Sequence, residues 1–222
     1  RWPALMKVFD LLRERPEVQR RHAVIPDTPK IREFIASGRP LSNDSLAELV
    51  QETGDPELAK ALAWSQAVNA TIADMVHGVP PFPYVRESLA LITQHADAIV
   101  VSQTPVEALV REWKEHKIDS YVRVIAGQEM GTKAEHLRLA SHGKYADDHK
   151  LMIGDAPSDM KAARANKAFF FPVNPGHEEE SWERFYREAF NRFLEGTFGG
   201  AYEQELIDDF QKALPSTPPW QR

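Results

Sequence analysis

The stretch LMIGDAPSDMKAA, from Leu151 to Ala163, joins a short apolar run to two aspartates that lie four residues apart. The apolar residues predict a buried strand that Gly154 and Asp155 end. Asp159 lies about one turn into the helix that follows, so both carboxylates are expected at the same mouth of a sheet. Two carboxylates that close repel each other unless a cation lies between them. The pattern therefore predicts a site for Mg²⁺, which prefers hard oxygen ligands and few protein donors.

A structural explanation competes with this one for Asp159, because acidic residues are favoured in the first turn of any helix. It does not explain Asp155, which stands directly behind Gly154. A glycine at that point removes a side chain where another group approaches the backbone closely. We therefore keep both aspartates as candidate catalytic and metal-binding residues.

The composition narrows the class of partner. The chain has 222 residues, with 33 acidic and 27 basic side chains and a formal net charge of −6. An acidic chain without clusters of Lys or Arg argues against nucleic acid or anionic membrane as a partner. Cysteine is absent, which excludes thiol nucleophiles and thiolate metal sites and fits a cytoplasmic location. The histidines show no paired zinc pattern, and we expect most of them at the surface.

The first third of the chain predicts helices only. Apolar stripes at helical spacing, with proline or a polar cap at the start and glycine at the end, mark four of them. They are expected over residues 1–15, 27–38, 42–53 and 55–78. No strand is indicated before position 95, so residues 1–78 are predicted to form an all-helical domain.

From residue 79 onward, short apolar runs alternate with helices. This is typical of α/β proteins with a parallel sheet that helices cover on both faces. The strands are expected in AIVVS, YVRVI, LMIGD and AFFFPV, and two aromatic-rich helices and an irregular tail over residues 215–222 follow. We therefore predict a Rossmann-like core over residues 79–222.

Two further groups stand where a strand is predicted to lead into a helix. Ser102 ends AIVVS, and Gln103 and Thr104 lead into the next helix, where a hydroxyl and free N–H groups could hold an anion. The alternative is that Ser102 or Thr104 only caps that helix, and for Thr104 we favour the cap. In GTKAEHL, Thr132 and Glu135 predict a capping box that puts Lys133 in the first helical turn. A cation there opposes the helix dipole unless an anion is bound, although surface lysines at unfavourable positions are common.

The order of these stretches resembles the haloacid dehalogenase-like hydrolase superfamily. PFPYVRESLALI precedes a strand, IVVSQTP resembles the second motif of that superfamily, GTKAEHL the third and LMIGDAPSDMKAA the fourth. The resemblance covers about residues 79–173, and the fourth motif is the most specific. A helical domain ahead of the core is similar to the cap that shields the site and selects the substrate in that superfamily.

The resemblance implies a role for each candidate residue. Ser102, with Gln103, would hold the transferring phosphoryl group, and Lys133 would neutralise the phosphate and the nucleophile. Asp155 would bind Mg²⁺. Asp159 would either support the metal or position Lys133.

One motif of the superfamily is absent, the D-x-D of the first strand, which supplies the nucleophile and the acid–base aspartate. The segment most similar to it is KVFDLL, in which Asp10 could match the first aspartate but Leu12 stands at the position of the second. The helical stripe through Phe9 explains this segment better. The superfamily places the missing strand between those that end at Ser102 and Asp155, so we expect about 10–25 further residues upstream, enough for one strand and a connection.

The function expected from these features is a Mg²⁺-dependent phosphatase that acts on a small phosphorylated metabolite through an aspartyl-phosphate. A dehalogenase or a phosphomutase on the same scaffold is the enzymatic alternative, and the aspartate pair favours the metal enzyme. A catalytically silent binding module that lacks the nucleophile is the alternative from another class. The substrate's identity and the oligomeric state are left open by the sequence.

Overall fold

The computed structural model describes residues 1–214, so the tail expected to be irregular, residues 215–222, lies outside the described part. The chain divides into two compact units, Arg1–His77 and a second that begins at Gly78. Among the described helices, none combines the length and the apolar character that a membrane crossing requires.

The first unit is built from helices. Polar caps begin two of them: Ser42 accepts a hydrogen bond from the Ser45 N–H, and Asp55 accepts from the N–H groups of Glu57 and Leu58. Apolar side chains from four helices form one buried cluster. The helices are α1 (Trp2–Glu14), α2 (Pro16–Arg20), α3 (Pro29–Ala36), α4 (Asn43–Thr53) and α5 (Pro56–Met75). The buried cluster contains Trp2, Met6, Ile31, Phe34, Leu46 and Leu58.

Two details of this unit differ from the sequence prediction. The short helix α2 was not expected, although Pro16 at its first position is a typical helix start. Helix α5 ends at Met75 and not at Gly78, since Val76 already has an extended backbone. In the described part of this unit, every regular element is a helix.

The second unit alternates strands and helices, as the pattern of apolar runs indicates. Its strands are β1 (Ile99–Val101), β2 (Val124–Ala126), β3 (Leu151–Gly154) and β4 (Phe169–Pro172). Its helices are α6 (Val85–His95), α7 (Val106–Glu115), α8 (Lys133–Ser141), α9 (Pro157–Ala165), α10 (Glu178–Arg184), α11 (Phe190–Leu194) and α12 (Ala201–Ala213). The expected strand YVRVI is shorter and later than predicted, because Tyr121 belongs to a 3₁₀ turn.

The four strands form two parallel pairs. β1 pairs with β2, with Ile99 opposite Val124, and β3 pairs with β4, with Leu151 opposite Phe169. Within the described residues, no strand joins the pairs. The prediction of parallel strands is therefore confirmed, and the break between β1 and β3 lies where the superfamily places the strand that the sequence lacks.

The strand β4 is covered on both faces, in the manner of a parallel sheet. Phe170 packs edge-on against Phe210 of α12, and Phe171 packs on the opposite face against Phe185. The outward N–H of Phe170 donates to the carboxylate of Glu203, which protects this free edge. Phe185 belongs to a π-helical segment, Phe185–Ala189, which continues α10 into α11. The aromatic side chains of the helices after β4 therefore serve as packing surface for this strand.

The strands β1 and β3 are less well covered than β4. The three side chains of β1 are half-buried, as are Leu151 and Ile153 of β3, while Phe170 and Phe171 are buried. A cavity of about 520 Å³ separates the two pairs, lined by both strands and by Phe185 of the π-helical segment. The backbone edges that face it lack the second strand partner that an interior strand of a parallel sheet has.

Candidate active site

The loop after β1 carries Ser102 at the carboxyl end of the strand. The Ser102 N–H donates to the Ala126 carbonyl at 3.0 Å, which extends the β1–β2 ladder by one residue. The hydroxyl oxygen accepts from the Thr104 N–H at 3.1 Å, so its own proton stays available to a bound anion.

The expected cap at Thr104 is wrong. Helix α7 begins at Val106 with Pro105 in the cap position, and no side chain of its own segment caps it. The carboxylate of Glu129, from the loop after β2, accepts from the Val106 N–H at 3.1 Å instead. Sequence reasoning missed Glu129, because a cap supplied by a distant loop leaves no local pattern.

Lys133 is the first residue of α8, and the capping box predicted around it is present. The Thr132 hydroxyl accepts from the Glu135 N–H, and the Glu135 carboxylate accepts from the Thr132 N–H at 2.8 Å. The Thr132 hydroxyl also donates to the Glu135 carboxylate at 2.8 Å, and the bonds that this carboxylate accepts, first from the Thr132 backbone N–H and then from the hydroxyl, hold the pKa of Glu135 below its usual value. The box fixes the start of α8 and with it the position of Lys133.

The ammonium of Lys133 pairs with the buried carboxylate of Asp159. Lys133 Nζ lies 2.5 Å from Asp159 Oδ1, and only 3% of the Asp159 side chain is exposed, against 21% for Lys133. The second oxygen, Asp159 Oδ2, accepts from the Ala156 N–H at 3.1 Å. Both carboxylate oxygens are thus engaged. The unfavourable place of a cation at a helix N-terminus is offset by this partner.

Gly154 makes the burial of Asp159 sterically feasible. A Cβ atom on Gly154 would lie 2.4 Å from Asp159 Cβ and 2.6 Å from Asp159 Oδ2. Such separations are well inside van der Waals contact. The close approach expected at this glycine is confirmed, and the approaching group is the carboxylate of Asp159.

Asp155 differs from Asp159 in its surroundings. Its side chain is exposed, and in the described part of the chain it has neither a hydrogen bond nor an ion pair. Asp155 directly follows Gly154, the last residue of β3, so it lies at the carboxyl end of that strand. Asp155 is the free carboxylate at this end of the strand.

The structure connects the candidate residues in two steps. Lys133 and Asp159 are in direct contact. The Ser102 loop and the loop before Lys133 are joined by hydrogen bonds, among them the Gln103 side-chain amide to the Gly131 carbonyl at 3.1 Å. Gln103, a candidate phosphate ligand, therefore uses its amide between the two loops.

His136 is an exception to the expectation that most histidines lie at the surface. It follows Lys133 by one helical turn and is 6% exposed. Neither ring nitrogen has a hydrogen-bond partner in the described residues. Nothing in the structure assigns this ring a role.

These features define an α/β protein whose candidate residues follow its strands. The family model of the haloacid dehalogenase-like hydrolases matches residues 34–173, which is more than half of the chain. The chain therefore belongs to the haloacid dehalogenase-like hydrolase family, as the order of the motifs indicated. Neither a comparison with curated proteins nor one with solved structures gave a match.

Proposed function

We propose that this hydrolase is a Mg²⁺-dependent phosphatase acting on a small phosphorylated metabolite. The observation that carries the proposal is the ion pair of Lys133 with buried Asp159, which fixes an ammonium group near the carboxyl end of β3. A fixed cation that needs no reorganisation is suited to stabilise a transferring phosphoryl group. Ser102 follows β1, and among the described residues its hydroxyl accepts a hydrogen bond and donates none, so its proton is available to a phosphoryl oxygen.

In this proposal, Lys133 and Ser102 hold the phosphoryl oxygens, and the Gln103 backbone N–H assists, because the Ser102 and Thr104 N–H groups already have acceptors. Of the two roles expected for Asp159, we assign it the positioning of Lys133 and not the support of the metal, since its oxygens are bonded to Lys133 and to the Ala156 N–H. It acts as a positioning residue for the lysine.

Asp155 is the residue proposed to hold Mg²⁺. Its carboxylate is exposed and free of protein partners in the described chain, and the described residues contain no group of three or more His, Cys, Asp or Glu side chains placed to hold a metal. A single carboxylate suits Mg²⁺ if water, substrate phosphate and a further protein oxygen complete its octahedron. When bound, the ion would neutralise charge on the phosphoryl group.

The further protein oxygen and the nucleophile are proposed to come from the strand that the family places between β1 and β3. The cavity of about 520 Å³ between these strands supports this proposal, since it is lined by apolar side chains of both. An aspartate at the end of such a strand would form a bond from its carboxylate oxygen to phosphorus while the ester P–O bond breaks and the leaving oxygen takes a proton from the acid–base aspartate of the same motif. Water would then give a proton to that second aspartate and attack phosphorus, and the bond between phosphorus and the carboxylate oxygen would break, which releases phosphate and the free carboxylate. The helical unit Arg1–His77 is proposed as the cap by family resemblance alone.

Phosphatase assays of the intact protein test the proposal. A panel of phosphorylated metabolites and p-nitrophenyl phosphate is incubated with Mg²⁺ or with EDTA, and phosphate release is measured. We expect turnover only with Mg²⁺ and its loss in Asp155→Asn. Because Asp155 is exposed and unbonded, this change should leave the free energy of unfolding within about 0.5 kcal/mol. Asp74→Asn, another exposed carboxylate without a partner in the described chain, serves as the control.

The same assay separates the alternatives. Halide release without a metal would indicate a dehalogenase, and transfer of phosphate between two positions of a sugar would indicate a mutase. Full activity of Asp155→Asn would contradict the proposed metal role.

A further inference from the structure

Two loops at the carboxyl ends of β1 and β2 are held together by a set of contacts that we name the loop clamp. One side is formed by Gln103, Thr104 and Val106, and the other by Gly127, Gln128, Glu129 and Gly131. The Gln128 N–H donates to the Thr104 carbonyl at 3.1 Å, and the Val106 N–H donates to the Glu129 carboxylate at 3.1 Å. The Gln103 amide donates to the Gly131 carbonyl at 3.1 Å.

The absence of a side chain at Gly127 allows the clamp to close. A Cβ atom there would lie 2.6 Å from the Val106 nitrogen and 2.8 Å from the Thr104 oxygen. Both are backbone atoms, so no flexible side chain could yield. The backbone of Gly127 has φ −98°, which any residue adopts, so glycine is needed here for space and not for conformation.

Glu129 occupies the N-terminus of α7. The first N–H groups of a helix attract anions, and in this helix the Val106 N–H already binds a carboxylate. The Val106 N–H is therefore not available to an incoming phosphate, for which the proposed ligands are the Ser102 hydroxyl, the Gln103 N–H and the Lys133 ammonium. Ser102 stands immediately before one side of the clamp, and Lys133 stands two residues after Gly131 on the other.

We propose that Glu129 is a positioning residue that fixes the spacing between the Ser102 hydroxyl and the Lys133 ammonium, so that both grip one phosphate. The inference rests on the proposed function, in which these two groups bind the phosphoryl group. Glu129 itself does not touch the substrate. It acts through the hydrogen bond to Val106, which prevents the two loops from separating.

Binding of inorganic phosphate to the intact protein tests this role without requiring turnover. Affinity is measured by NMR titration for the wild type, Glu129→Ala, Glu129→Gln and the control Glu112→Ala, whose carboxylate is exposed on the same helix α7. We expect Glu129→Ala to weaken binding about five- to tenfold, the effect of one hydrogen bond. Glu129→Gln keeps an oxygen acceptor and should bind within about twofold of the wild type, as should the control. Exchange of the Val106 amide hydrogen should accelerate in Glu129→Ala only.

The outcomes separate this role from the proposed function. Wild-type phosphate affinity in Glu129→Ala would overturn the positioning role while leaving the phosphate site intact. Equal weakening in the Ala and Gln variants would also overturn it. Glu129→Gln keeps the acceptor for the Val106 N–H, so the loss of affinity could not then come from that hydrogen bond. If the wild type fails to bind phosphate, both the proposed phosphate site and the positioning role of Glu129 are contradicted, and the loop clamp is only a structural feature.

Discussion

A methyl group on Gly154 tests whether the close packing against Asp159 holds the candidate site together. The added Cβ would lie 2.4 Å from Asp159 Cβ, whereas carbon atoms pack at about 3.5–4.0 Å, so Asp159 must move by about 1 Å or more. That movement removes its bonds to the Lys133 ammonium and to the Ala156 N–H. A hydrogen bond to a charged group contributes about 1.5–3 kcal/mol, and both of these bonds involve the Asp159 carboxylate, so Gly154→Ala should cost about 3–6 kcal/mol.

Urea unfolding of the wild type, Gly154→Ala, Asp159→Gly and the double variant measures this cost. In the Asp159→Gly background the clashing side chain is gone, so the added methyl should cost less than about 0.5 kcal/mol. The reasoning is refuted if the methyl costs the same in both backgrounds, or if it costs nothing in the wild type. Phosphate binding by Gly154→Ala, measured beside its stability, reports whether Lys133 has kept its position.

Three further predictions concern hydrogen bonds at the ends of helices and strands. Thr132→Ala removes the capping box of α8 and should lower the free energy of unfolding by about 1 kcal/mol, measured in urea; an unchanged midpoint would contradict it. Hydrogen bonds from Thr132 lower the pKa of Glu135. The wild type should therefore have a larger free energy of unfolding than Glu135→Gln, fully so above the usual Glu pKa of about 4.3, and this difference should shrink as the pH falls through the lowered pKa of the folded state. Urea midpoints of the wild type and Glu135→Gln at pH 7 and pH 3 check this, and an equal difference between the two proteins at both pH values would refute it. The Tyr145 hydroxyl and then Arg123 lower the pKa of Asp97, so Tyr145→Phe should raise that pKa in an NMR titration, while the control Tyr186→Phe leaves it unchanged.

Features with a local cause were predictable from the sequence. The capping box of α8 and the Asp55 cap of α5 depend on residues within three positions of each other, and both are present as expected. Each of the four apolar runs of the core overlaps a strand, because each run is short, apolar and bounded by turn residues.

Features set by distant contacts were not predictable in the same way. Separation of β1–β2 from β3–β4 has no pattern within either strand, and it could be expected only from the missing first motif and the strand order of the superfamily. The cap of α7 comes from Glu129, 23 residues away. An acidic residue in a polar loop can accept hydrogen bonds from many partners, and the partner is known only once the fold is known.

The spacing of Asp155 and Asp159 shows why a motif defines a place more readily than a role. Their sequence positions correctly put both at the end of β3, where two free carboxylates would require a cation. The cation that the structure supplies to Asp159 is the ammonium of Lys133, 26 residues earlier in the chain. Since Gly154 lets Asp159 fold back onto the peptide after Asp155, one carboxylate is buried with the lysine and the other stays exposed. Two residues that look equivalent in the sequence therefore have different chemistry: Asp159 orients a cation, and Asp155 is free to bind one.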